Sequence, residues 1–175
     1  VGECEDEKVL KYFLKENNNI KYNSDILKIL WECCQIPDFV KKTYGHHLEV
    51  VNKVFNFLIG KENKIPNYYI KKQLSILDKL DGNVDSISNR ISNVRTWSYV
   101  SNKSNWVENQ DYWIERTKHL EDKLSDRLHD ELTKTFIDKR ASVLAKGLKQ
   151  DIELKTEIVE KEKVLINDQY IGILK

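Results

Sequence analysis

The sequence lacks methionine altogether and has only two prolines and six glycines in 175 residues. So few helix breakers leave room for long helices. Three cysteines, two of them adjacent, do not resemble a disulfide framework, and we therefore expect a reducing compartment. No apolar run reaches the roughly 18 residues of a membrane span, and no charged-then-apolar leader opens the chain. We expect a soluble protein.

Neither sign of charge dominates. Lysine and arginine number 29 and aspartate and glutamate 28, and the resulting net charge of +1 does not indicate a polyanion binder by bulk electrostatics. Hydrophobic residues make up 40% and charged residues 33%, a balance typical of globular domains. Because the chain starts at Val1 without a methionine and ends at Lys175 in an apolar run, we expect a fragment of a longer polypeptide.

Apolar residues recur at helical spacing through the first 150 residues. They predict helices over about 5–17, from a cap at Ser24 to Pro37, and over 44–59, 66–80, 84–101 and 107–138, with the last extending toward residue 148. In the sixth segment Leu120, Leu124, Leu128 and Leu132 recur every four residues, a stripe that winds around the helix and requires more than one neighbour. We expect a mainly α protein, a helical bundle of about six helices.

The pattern changes after Gln150. Ile152, Leu154, Thr156 and Ile158 alternate with charged residues, which is the period of a strand. Further on, apolar residues flank Asn167-Asp168 over 164–174, which is typical of a tight hairpin. We expect a short C-terminal β-hairpin there. The chain would then divide into a helical domain, 1–150, and a small, truncated β element, 151–175.

Motifs that carry catalysis are missing from the sequence. It contains no glycine-rich phosphate loop of the GxxxxGK[ST] or GxGxxG form and no serine in a GxSxG turn. Cys33-Cys34 and His46-His47 are adjacent pairs, whereas zinc ligands are usually about two to four residues apart. Core and surface roles are therefore favoured over a metal site. We expect no catalytic residue, no metal and no bound cofactor in this chain.

Residues 94–106, VRTWSYVSNKSNW, are the most distinctive stretch. Arg95 falls about 60° from the centre of the apolar stripe of its helix. An arginine in that position either pairs with a carboxylate or contacts something outside the domain. Trp97, Tyr99 and Trp106 could stack on unpaired bases, although aromatic residues more often pack in a core or between domains.

Three groups of segments carry a resemblance to a known family: residues 30–39 (LWECCQIPDF); residues 81–85 (DGNVD) with Ile91 and 95–99 (RTWSY); and residues 121–129 (EDKLSDRLH) with 136–140 (FIDKR). In this order they are similar to a region beyond the second motor domain of superfamily 2 DExH-type, ATP-dependent helicases. The family is that of the mitochondrial RNA-degradosome type and its bacterial relatives. The expected hairpin looks like the short β element that follows the helices in the bacterial members.

The resemblance implies a parent with two RecA-like motor domains upstream, which bind ATP and magnesium and move along single-stranded RNA or DNA. This region would be a non-catalytic accessory domain that packs on the motor domains of the same chain and helps enclose the strand. The compartment would be the bacterial cytoplasm or, alternatively, the mitochondrial matrix. If the region lines a strand channel, the contact candidates are Arg95, Trp97, Tyr99, Lys103 and Arg116.

A second hypothesis comes from another class of protein. The balanced charge and the aromatic content also suit a helical protein–protein docking module with no nucleic-acid contact. Salt dependence distinguishes the two, because strand binding through phosphates weakens steeply with salt and apolar docking changes little. For Arg95 and Trp97 the corresponding alternative is that they hold the helical bundle together.

Overall fold

The computed structural model describes residues 4–16, 20–41 and 44–173, with side chains described through Val164. Within these ranges the chain forms six helices: α1 Glu5–Glu16, α2 Ser24–Cys34, α3 Tyr44–Ile59, α4 Asn67–Leu77, α5 Val84–Ser101 and α6 Gln110–Ile173. The expectation of a mainly α protein with about six helices is confirmed. None of the described helices is both long and apolar enough to cross a membrane.

The β-hairpin expected over 164–174, and with it the β element over 151–175, is not supported. Helix α6 continues to Ile173, and the described part of the chain contains no strand. The alternating residues lie in a segment rich in lysine and glutamate, which are good helix formers. Opposite charges also recur there four residues apart, as at Glu157 and Lys161, a spacing that stabilises a helix. An isolated hairpin, by contrast, is at best marginally stable in water.

The chain divides into two compact units, Val1–His129 and Asp130–Lys175. The boundary predicted at residue 150 falls inside α6 and stays a prediction about the domains. In the first unit α1 packs on α2, α2 on α3 and α4 on α5. Its core includes the fully buried Leu30, Val51, Phe55, Ile87 and Leu120. In the second unit most described side chains of α6 are exposed.

Asparagine side chains begin two of the helices. Asn23 Oδ1 accepts a hydrogen bond from the Ile26 amide at 2.8 Å, and Asn83 Oδ1 accepts one from the Ser86 amide at 2.9 Å. Each bond satisfies an amide that has no partner within the first turn. Gly82 precedes the second cap with a φ of +111°, and a Cβ there would lie 3.0 Å from the Cβ of Ser86. A glycine is therefore required where the DGNVD motif leads into α5.

Candidate nucleic-acid interface

A network of charged side chains joins the α4–α5 turn to α6. The Asp78 carboxylate, just after α4, accepts hydrogen bonds from Lys123 Nζ at 2.7 Å and from Arg116 Nη2 at 3.4 Å. The hydrogen bond from Lys123, assisted by the charges of both cations, holds the pKa of the Asp78 carboxyl below its usual value. Asp78 is therefore ionised at neutral pH and holds two cations of α6.

Two further arginines hold the same turn through its backbone. Arg90 Nη1, on α5, donates to the Lys79 carbonyl at 2.8 Å and also to the Asp81 carbonyl. Arg127 Nε, on α6, donates to the Leu80 carbonyl at 3.0 Å. The Arg90 side chain is only 17% exposed, so its charge is directed into the turn. Both arginines satisfy carbonyls that no helix pairs, which is a structural use of a cation.

The two arginines among the predicted contacts both form ion pairs between elements. Arg95 Nε donates to Glu121 Oε1 at 2.8 Å and so links α5 to α6. Arg116 is one of the two partners of Asp78. The structure thus shows the first of the two alternatives for Arg95, a carboxylate pair at the border of the core. A strand contact by either arginine stays a prediction.

Trp97 lies in an aromatic cluster inside the first unit. It is 4% exposed, and its ring meets the ring of Tyr69 edge-on with the centroids 5.8 Å apart. Tyr69 in turn lies against Phe57, with 4.9 Å between ring centroids. The cluster therefore joins α3, α4 and α5. In this position the indole of Trp97 packs helices together and presents no open face to a base.

Tyr99 and Lys103 are the predicted contacts that the structure brings together directly. Lys103 Nζ lies 5.3 Å from the ring centroid of Tyr99 and 5.8 Å from that of Trp106. Such distances are those of cation–π contacts. Trp106 is buried, whereas Tyr99 and Lys103 are half-buried. Tyr99 lies in the last turn of α5 and Lys103 just after it, and the pair stays a candidate for strand contact.

A cationic surface on α4 was not predicted from the sequence. It is here called the α4 lysine face and consists of Tyr68, Lys71, Lys72 and Ser75, at helical spacing opposite the buried side of α4, together with Lys79 just after the end of the helix. Together with Ile76 they line a shallow groove of about 530 Å³. The sequence signal is an aromatic residue followed by lysines three and four positions later, in a helix without any acidic residue.

A separate cavity of about 450 Å³ is lined by Cys34 and His47, among other residues. Burial raises the pKa of the Cys34 thiol to about 12 and lowers the pKa of the His47 imidazole. At neutral pH the thiol is protonated, so it supplies no thiolate nucleophile or ligand. In the described ranges no group of three or more His, Cys, Asp or Glu side chains is placed to hold a metal ion.

Comparison of the chain with protein-family models, with curated proteins and with solved structures gives no match. The relation to helicases therefore stays a prediction that rests on the three groups of sequence segments. Leu30 and Ile36 of the first group, Ile91 and Trp97 of the second and Leu124 of the third all lie in one hydrophobic core. Segments that are far apart in sequence are thus parts of a single folded unit.

Proposed function

We propose that this chain is a non-catalytic accessory domain of an ATP-dependent nucleic-acid helicase. It packs on the RecA-like motor domains of the same polypeptide and helps enclose single-stranded RNA or DNA. One observation carries the proposal: the three groups of helicase-like segments share one core, and the Arg95–Glu121 ion pair links the second group to the third. The segments that carry the expected similarity therefore belong to one folded unit.

The charge balance is compatible with this role. Glu121 and Asp78 offset Arg95, Arg116 and Lys123 within the domain, so these cations add little net charge to its surface. An enclosing wall acts beside motor domains that grip the strand, and it does not require a strongly basic surface of its own. ATP and magnesium belong to the motor domains. We place the protein in the bacterial cytoplasm, with the mitochondrial matrix as the alternative.

The second unit supplies a surface for packing on other domains. Phe136, Ile137, Val143, Leu144 and Leu148 of α6 are 57% to 70% exposed. Apolar side chains exposed at this density mark a protein–protein contact surface. We assign this surface to contact with the motor domains. The same observation favours the second candidate function, a helical docking module with no nucleic-acid contact.

The native polypeptide provides the test of the helicase proposal. Antibodies against this chain would isolate it from its source, and its intact mass and upstream peptide sequence would be measured. We expect a product several times larger than 20.7 kDa that carries a GxxxxGK[ST] loop and a DExH-like box. A product of about 20.7 kDa would contradict the helicase proposal and leave the docking module as the function.

The apolar surface of α6 can be tested against a matched control. The double substitution Leu144→Asn with Leu148→Asn should weaken association with separately expressed motor domains at least about tenfold, because buried apolar contacts are lost. Lys146→Gln with Lys149→Gln changes the opposite side of the same helix and should have little effect. Isothermal titration calorimetry measures both. Equal affinities for the two double variants would contradict the assignment of this surface.

A further inference from the structure

We propose that the α4 lysine face binds single-stranded nucleic acid, with phosphates on its lysines and a base on Tyr68. The choice of a single strand as the ligand rests on the proposed function. The location of the site rests on α4 and on Lys79 just after it, and on none of the contact candidates predicted from the sequence.

The spacing of the face places its side chains on one side of the helix. Lys71, Lys72 and Ser75 follow Tyr68 by three, four and seven residues, whereas Lys79 lies two residues beyond the end of α4 at Leu77. At about 100° per residue the three helical positions lie within roughly 60° of Tyr68. The apolar residues Ile70 and Leu74 of the same helix are buried. Lys79 lines the same groove as Lys71 and Lys72.

The lysines of this face keep their charge available. Helix α4 contains no acidic residue, and none of the described carboxylates lies within 4 Å of the amines of Lys71, Lys72 or Lys79. The nearest acidic residues in sequence are already engaged, since Asp78 pairs with α6 cations and Asp81 pairs with Arg90. Three ammonium groups along one groove, two on α4 and one just after it, form a positive surface that suits a polyanion.

Tyr68 adds a second kind of contact. It is 69% exposed, and it lines the groove beside Lys71, Lys72 and Ile76. Proteins that bind single strands combine a positive groove with an aromatic side chain on which an unpaired base stacks. In a duplex the bases are stacked and paired, so Tyr68 would gain no such contact. The combination of lysines with an open aromatic ring therefore favours a single strand over a duplex.

The test uses the complete 175-residue chain and a fluorescein-labelled RNA of about 12 nucleotides, single-stranded or as the matching duplex. Fluorescence anisotropy gives the dissociation constant between about 50 and 200 mM KCl. The affinity falls with salt, so the slope of log K against log salt is negative. The triple variant Lys71→Gln, Lys72→Gln and Lys79→Gln should make this slope shallower by about 2, because each phosphate contact contributes about 0.7 to its magnitude.

The control for the lysines is a second triple variant, Lys15→Gln with Lys21→Gln and Lys28→Gln. It removes the same charge from exposed positions on and near α1 and α2 and should leave the salt slope unchanged. Tyr68→Ala should weaken single-strand binding about 5- to 150-fold, whereas Tyr68→Phe keeps the stacking ring and should bind like the parent chain. Duplex binding should not depend on Tyr68. Circular dichroism confirms that each variant is folded.

The inference is overturned if the parent chain binds no single strand at the lowest salt concentration. It is also overturned if both triple variants change the salt slope equally, or if Tyr68→Ala acts equally on single strand, duplex and anionic phospholipid vesicles. The proposed function can fail separately. A native polypeptide without motor domains would contradict the proposed function but leave an observed α4 site standing. A native polypeptide with motor domains, together with α4 variants that bind single strands as well as the parent chain does, would contradict the α4 site and leave the proposed function standing.

Discussion

The first unit contains two sets of cations that differ in what they contact. On the α5–α6 side, Arg90, Arg95 and Arg116 donate to carboxylates or backbone carbonyls. On the outer side of α4, Lys71 and Lys72 have no described carboxylate within reach, although they lie only a few residues from the same network. The comparison shows that the position of a cation in the sequence is a poor guide to its role until its partners are known.

The largest expected effect distinguishes a buried aromatic residue of α5 from an exposed aromatic residue of the α4 lysine face. Trp97→Ala removes an indole from the aromatic cluster, and we expect a loss of about 3–5 kcal/mol in the free energy of unfolding. Tyr68→Ala removes an aromatic ring from the neighbouring surface of α4 and should cost no more than about 0.5 kcal/mol. Urea titration followed by circular dichroism measures both. Equal losses for the two variants would show that Trp97 does not belong to the core.

The Asp78 network is expected to give an intermediate effect. Asp78→Asn should cost about 1 kcal/mol at neutral pH, because Lys123 and Arg116 lose an ionised partner but are themselves about two-fifths exposed. The pKa of Asp78 is lowered by folding, so its contribution is complete above the ordinary value of 3.8 and is lost as pH falls through the folded pKa. The difference in stability between Asp78→Asn and the parent chain should therefore shrink under acid conditions. A difference that does not change with pH would contradict the ion pairs.

The smallest expected effect concerns Arg95 and Glu121. A double-mutant cycle with Arg95→Ala and Glu121→Ala should give a coupling energy of about 0.2–1 kcal/mol, since the pair lies near the surface. Arg95→Ala should also leave the affinity of the chain for single-stranded RNA unchanged if the arginine only links α5 to α6. No coupling together with weaker RNA binding would reverse this assignment and restore Arg95 as a strand contact.

The helices could be predicted from the sequence because their apolar spacing is regular. Leu30, Val51, Val54 and Ile87 lie on the buried sides that the spacing predicts. The segment around Ile152 and Ile158 was beyond this method, because a short alternation fits a strand or a charged helix equally well. What decides between them is whether a partner strand exists, and a single stretch of sequence does not contain that information.

The candidate site was predictable only in part. The position of Arg95 at the border of the core showed that it needs a partner, but Glu121 lies 26 residues further along the chain. For the α4 lysine face the whole-chain charge was misleading. A net charge of +1 averages over a helix that has lysines and no acidic residue. Charge counted helix by helix would have found it.

Amine-reactive footprinting of the complete chain, with and without single-stranded RNA, tests the central claim most directly. Mass spectrometry reports the modification of every lysine in one experiment, including Lys123 of the Asp78 network and the lysines of the α4 lysine face. We predict that bound RNA protects Lys71, Lys72 and Lys79, while Lys123, which already pairs with Asp78, and Lys15 of α1 keep their reactivity. Protection of Lys103 without protection of the α4 lysines would contradict the account and move the strand to the end of α5.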